Sequence, residues 1–312
     1  MQIWELGTAV ATDDRLLELH ALEENCAPAG EAFRTPELSL AYYRHASPGS
    51  TRRRWVVEQD GVLAGTAALS VHGPALVYVE ILVPPAKRRR GIGTLLFETV
   101  RDAAQAAGAQ SFFGHHWNAA GAAFAAHVGA RDDQRDVRSL LDLRNAQLPE
   151  PVLPAGWRLR SWVGAAPDNL VESFAQARDA MNDAPAPGGV SGPPVTVAEV
   201  RRIEETAALR GREVRVTVAL DERDEVGAFT DLRATPGAAA AATDDTASVH
   251  WARGLGLVRA VKVESLRRLR LERPEVETDS TMNAERNGAM RHINTQIGFV
   301  PTSTLTTAVV TL

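Results

Sequence analysis

Val83-Pro84-Pro85-Ala86-Lys87-Arg88-Arg89-Arg90-Gly91-Ile92-Gly93-Thr94 decides the reading of this chain. The run before it, Leu76 to Val83, carries the Val, Tyr and Ile of a strand. After it, Ile92, Leu95, Leu96, Val100 and Ala103 fall on one face of a helix expected from Gly91 to Ala107, with Glu98, Arg101 and Asp102 on the other. A strand, a tight connection and a helix opening on two glycines gather several backbone amides around one point. The positive end of the helix dipole favours an anion there. Gly91 and Gly93 lack Cβ atoms, so a pyrophosphate can approach the backbone, and Arg88, Arg89 and Arg90 add charge at the rim.

A second turn of this kind, Arg253-Gly254-Leu255-Gly256-Leu257, lies in the other half of the chain. Asn118 and Gly129 follow the first turn; Asn287 and Gly298-Phe299 follow the second. The offsets are 163 from Gly91 to Gly254, 169 from Asn118 to Asn287 and 169 from Gly129 to Gly298. One nearly constant offset means a duplicated module. The 312 residues suit two such modules. We expect domains at 1–146 and 157–312, joined by the proline-rich linker 147–156.

The first half reads as helices near 13–25 and 36–46, a hairpin turning at Asp60-Gly61, the strand and helix above, a strand from Gln110 to His115, a helix from Asn118 to His127 and a closing strand at about 136–143. The second half repeats the order: a strand near 157–163, helices near 167–181 and 195–209, a hairpin over 214–235 turning at Asp221, and a helix from Gly254 to about Leu271. Lys262 falls on the apolar side of that last helix, through packing on two sides or an error of period. Loop 185–194 suits either a lid or a tolerated insertion.

Composition is that of an ordinary globular protein, 45% apolar and 23% charged, with net charge −5. That balance gives no support to nucleic-acid binding. No run approaches the roughly 18 apolar residues of a membrane span, and the N-terminus lacks a signal-peptide pattern. One cysteine, Cys26, makes no disulfide or metal motif. A cytoplasmic location with no metal is expected. The only lysines, Lys87 and Lys262, sit beside the two turns, by function or by codon bias.

The spacing is neither a nucleotide P-loop nor the dinucleotide fingerprint. Val83-x-Pro85-x-x-Arg88-x-x-Gly91-x-Gly93 resembles the acetyl-CoA-binding motif of the GNAT acyltransferase superfamily. The resemblance covers nearly the whole chain, as a tandem GNAT protein. Asn283-Ala284-x-x-Asn287-x-x-Met290-x-x-Ile293-Asn294-x-x-Ile297-Gly298-Phe299 is similar to the C-terminal half of mycothiol-synthase-like members. It implies an α/β fold of the mixed-sheet α+β kind: two GNAT-like domains, each a mixed, mostly antiparallel sheet flanked by helices.

The resemblance also implies roles at matching positions. Amides from Arg89 through Gly91, Ile92 and Gly93 to Thr94 would bind the CoA pyrophosphate. Leu82 and Val83 would pair with the pantetheine arm and polarise the thioester carbonyl, an effect worth roughly 3–4 kcal/mol per donor. Asn118 would bind the pantetheine side or cap its helix. Arg253, Gly254, Leu255, Gly256, Leu257 and Asn287 are the second-half equivalents. Family members often place a tyrosine acid seven residues after the Asn; Ala125 and Asn294 stand there instead. Trp251 replaces the second pyrophosphate side chain.

Acyl transfer needs a neutral amine and a base. Glu80, inside an apolar strand, is either that base, with its pKa raised by burial, or the partner of an arginine. Asp244 and Asp245 precede the second turn as a carboxylate pair or as turn and cap residues, and Asp245 is taken as the second candidate base. His115 and His116 suit proton shuttling or packing. The expected activity is an acyl-CoA-dependent, most simply acetyl-CoA-dependent, N-acyltransferase in which a small-molecule amine attacks directly in a ternary complex. The alternative is a non-catalytic acyl-CoA-binding regulator or scaffold.

Overall fold

The computed structural model describes residues 1–28, 34–45, 50–72, 76–185, 187–189 and 192–312. The chain forms two compact units, Met1–Arg135 with Leu305–Leu312, and Asp136–Thr304. The proline-rich stretch at 147–156 therefore lies inside the second unit, not at its edge. The break falls within a strand, and the last residues of the chain complete the first unit. A local composition signal cannot report such an exchange, because the strands involved are joined by pairing far along the chain.

The first unit runs β1 (Gln2–Glu5), α1 (Asp13–Glu24), α2 (Pro36–Arg44), β2 (Thr51–Gln59), β3 (Val62–Val71), β4 (Val77–Leu82), α3 (Ile92–Ala106), β5 (Ser111–His116) and α4 (Ala119–His127). β6 (Arg131–Asp142) leads from it into the second. The strands pair antiparallel in the order β1-β2-β3-β4, β4 pairs parallel with β5, and residues 306–311 of the final strand add antiparallel to β5. The expected strand, helix, strand and helix around the first glycine turn are all present. One face of α3, including Ile92, Leu96 and Val100, is buried against Trp55, Ala67 and Leu69 of the sheet. Gly65 permits this: a Cβ there would stand 3.0 Å from Leu96.

The second unit runs β7 (Arg158–Val163), α5 (Val171–Arg178), α6 (Val197–Leu209), β8 (Glu213–Leu220), β9 (Val226–Ala234), β10 (Ala240–Ser248), α7 (Leu257–Glu272), β11 (Thr278–Ala284) and α8 (Gly288–Ile297), then β12 (Val300–Thr311). β7-β8-β9-β10 pair antiparallel, β10 with β11 parallel, and β11 with β6 antiparallel. The strand plan of the first unit thus recurs, with β6 standing in the second where the end of β12 stands in the first. Part of the 185–194 loop lies outside the described residues, as does residue 46 at the end of the expected second helix.

One expectation changes, and one question left open is answered. Asp244 and Asp245 do not lie in a turn before the second helix. They belong to β10, at a register irregularity between Thr243 and Thr246. The alanine run before them has little β propensity, so the strand is set by pairing with β9 and β11 rather than locally. Lys262 is a true interior residue of α7, 1% exposed, in a polar core with Asp279 and Thr243.

Among the described residues, no helix is long and apolar enough to cross a membrane.

Candidate active site

In the first unit, β4 and β5 pair at Tyr78 opposite Phe113. Beyond that point Ile81, Leu82 and Val83 on one side and His115, His116 and Trp117 on the other line a cavity of about 440 Å³. Its floor is the start of α3. Gly91 takes the left-handed conformation at φ 79°, and no side chain caps the helix. The amides of the first turn therefore remain for an external acceptor, a ready anion site. Arg89 just before it also has positive φ, 62°, a conformation that costs a non-glycine residue energy and is retained at functional turns.

Of the residues expected at the first cofactor site, Leu82, Val83, Arg88, Arg89, Gly91, Ile92, Gly93, Thr94 and Asn118 line this single cavity, with Lys87 beside them. Arg90 is exposed and outside its lining. A Cβ on Gly93 would stand 3.0 Å from the Phe124 ring, so glycine lets α3 and α4 close together there. Asn118 caps α4, accepting from the Gly121 amide at 2.9 Å, and its wall position leaves room for both roles suggested by sequence. Cys26, unremarked as a site residue, lines the same cavity; burial pushes its thiol up to about 11, so it is protonated and unreactive near neutrality.

Glu80 sits beside this cavity, half-exposed on β4, 3.3 Å from Arg52 and 3.6 Å from Arg54. The expected rise in its pKa does not occur. Burial pushes upward, but the guanidiniums of Arg54 and Arg52, helped by Arg34 and His115, outweigh it and hold the carboxyl below its usual range. His115 is stacked on Tyr78 and shares a 3.1 Å hydrogen bond with Thr307; His116 shares one with Asp132 at 3.0 Å. Behind Glu80, Arg54 pairs with buried Glu23 at 2.6 Å, and Glu23 also accepts from Arg34 and from the Tyr43 hydroxyl at 2.8 Å. Sequence reading missed this arginine cluster. The consecutive Arg52-Arg53-Arg54 run was its visible trace.

The second unit keeps the backbone form of the turn. Gly254 and Gly256 have φ of 79° and 76°, and α7 has no side-chain cap. Leu257 is buried and Leu255 exposed. Arg253 is engaged by Asp183, and exposed Trp251 stacks on Trp157 at 5.7 Å. Asn287 caps α8 through the Met290 amide. Asp245 receives Arg178 at 2.5 Å, and its own amide donates to Asp231. The carboxylate poised near neutrality is its neighbour Asp244, raised to about 6 by burial against the pull of Arg233. Asn294, standing where a tyrosine acid was expected, is buried and donates to Asn283 at 2.6 Å. Among the described residues, no group of three or more His, Cys, Asp or Glu side chains could hold a metal ion.

Residues 16–130 match the acetyltransferase (GNAT) family. Over 99% of its length the chain superposes, with TM-score 0.86 and 24% identity, on 98% of a tandem GNAT protein from the clavulanic acid biosynthesis pathway. The family match lies within the first unit, and the whole chain shares the fold of the tandem GNAT protein. A GCN5-related N-acetyltransferase from Sphaerobacter thermophilus has the same fold, with TM-score 0.72 and 16% identity over 99% of this chain and 95% of that one. Mycothiol acetyltransferases are similar in sequence. That of Nocardia farcinica is 38% identical over 43% of this chain and 43% of its own length. That of Actinosynnema mirum is 36% identical over 52% and 53%. The chain thus spans about half the length of these curated relatives, or less.

Proposed function

We propose that this tandem GNAT chain is an acyl-CoA-dependent N-acyltransferase, with acetyl-CoA as donor and a small-molecule amine as acceptor. The observation that carries the reading is the uncapped, left-handed start of α3 at Gly91, opening into the cavity between β4 and β5. Likeness to mycothiol acetyltransferases supports a small-molecule acceptor. A cytoplasmic setting is part of the same reading.

The first-turn amides, with the helix dipole and the charges of Lys87, Arg88 and Arg89, would hold the diphosphate. Leu82 and Val83, at the end of β4, would align the pantetheine arm. Acetyl-CoA supplies an activated acyl group as a thioester. A neutral amine would attack the thioester carbonyl carbon directly, forming the C–N bond as the C–S bond breaks with its electron pair on sulfur, and Glu80 would take the amine proton or pass it to solvent. With Ala125 in place of a tyrosine acid, the thiol leaves as thiolate, which its pKa of about 8.5 tolerates. The turn from Arg253 to Leu257, with Asn287, is the weaker carrier site, because Trp251 and the Arg253–Asp183 pair occupy its rim. Asp245 with Asp244 would be its base.

The test is thiol release from acetyl-CoA with a panel of amines, against a buffer-only control. Amine-dependent release supports transfer. Saturable carrier binding with no release on any amine would favour a non-catalytic regulator.

A further inference from the structure

The wall beside the first cavity is strongly charged. Around Glu80 stand the guanidiniums of Arg34, Arg52 and Arg54 and the carboxylate of Glu23. Arg34 and Arg52 also flank the Tyr42 ring, at 4.4 and 4.7 Å. Tyr43 adds no charge of its own: burial and Glu23 push its phenol well above the usual range, so it stays neutral.

The guanidiniums differ in how well they are satisfied. Arg54 is 2% exposed; it donates to Thr66 at 3.1 Å and pairs with Glu23, yet its Nη2 has no hydrogen-bond partner. Arg52 Nε is likewise unpartnered. Each guanidinium meets Glu80 through its Nη2, at 3.3 and 3.6 Å, longer than the ~2.8 Å of a tight charge-assisted pair, while Arg52 Nη1 donates to the Tyr42 hydroxyl. A buried donor left without an acceptor costs free energy that an anion would recover. Glu80, by contrast, is reachable, and its neighbours Ile81 and His115 line the cavity where the acyl group is placed.

We infer that the acceptor of the first unit carries an anionic group, a carboxylate or a phosphate, besides its amine. The anion docks on Arg52 and the unpartnered Nη2 of Arg54, and the ammonium end meets Glu80. The loose Glu80 pairs are exchanged for two closer ones, and the amine is left beside the cavity. The inference rests on the acyltransferase reading of this site and names its substrate class.

The test uses the full chain at saturating acetyl-CoA and two matched pairs: L-leucine with L-leucinamide, and O-phosphoethanolamine with ethanolamine. Rates of thiol release are expressed per neutral amine. The anionic member of at least one pair is expected to be favoured about tenfold or more in kcat/KM, mainly through KM. Arg52→Gln should bring that pair to near parity. The favoured pair separates a carboxylate from a phosphate. Equal use of both members in both pairs would overturn the inference and leave the acyltransferase reading standing. If no amine is turned over, calorimetry of the same probes on the CoA-loaded chain decides. Binding of an anionic probe that Arg52→Gln abolishes supports the subsite while the transferase reading fails; absence of binding overturns the subsite.

Discussion

Arg88 Nε donates to the Val83 carbonyl at 3.0 Å, tying the end of β4 to the turn that leads into α3. One side chain thus fixes the loop geometry and brings positive charge to the cavity rim. Arg88→Ala should weaken acetyl-CoA binding by roughly ten- to a hundredfold, the scale of one charge-assisted hydrogen bond. Arg88→Lys should recover little, since lysine lacks the planar fork that reaches a carbonyl sideways. Calorimetric titration of the two variants checks this.

Gly91 separates backbone from side-chain effects. Its φ is 79°, and a Cβ there would meet nothing within 4 Å. Gly91→Ala should therefore cost only the left-handed strain, about 1–2 kcal/mol, read by urea unfolding. A loss well above that would mean that the turn is packed rather than open.

Glu80 bears on the pH profile. Its carboxyl is held below the usual range by Arg54 and Arg52 against the upward push of burial, so it is ionised throughout the neutral range. Activity should rise with pH along the acceptor's own ammonium titration, not along a carboxylate's. Two acceptors differing in amine pKa should shift the acid limb by that difference. A limb fixed at one pH for both would assign it to the protein. Glu80→Gln should lower kcat by about a hundredfold or more.

The second unit holds a buried pair with its own pH signature. Burial lowers Lys262 to about 8 and raises Asp279 to about 7. Asp279 accepts from Thr243 at 2.6 Å, and Lys262 lies over the Phe299 ring. The Asp279 contribution to stability falls as pH rises from its unfolded 3.8 toward 7, since the folded state holds the proton longer. The Lys262 contribution grows from 8 toward 10.5, where the unfolded state holds more protons. Lys262→Met leaves Asp279 alone and should cost about 3 kcal/mol near pH 8, and much less near pH 5, where Asp279 is protonated in the fold. Lys262→Met with Asp279→Asn should recover most of the loss. Chemical denaturation at both pH values measures it.

The first glycine turn was legible because its signals are local: periodic apolar residues in α3, a β-rich run before it, and glycines where the backbone needs them. Asn118 could be read as a cap for the same reason. What was hidden depends on distance. The strand exchange that carries β6 and the end of β12 between units leaves no trace in composition. Nor did Asp244 declare its strand, since an alanine run leads into it and the strand is set by pairing with β9 and β11. Arg54 stood in plain view, but its meaning needs Glu23 and Glu80, which only the fold brings together.

The central claim is that the backbone opened by Gly91 grips the diphosphate of an acyl-CoA. Calorimetric titration of the full chain with acetyl-CoA, beside Gly91→Glu, tests it most directly. Saturable binding to the native chain, abolished when glutamate places bulk and negative charge at that turn, is the predicted result. Undiminished affinity in the variant, or no heat from the native protein, would contradict it.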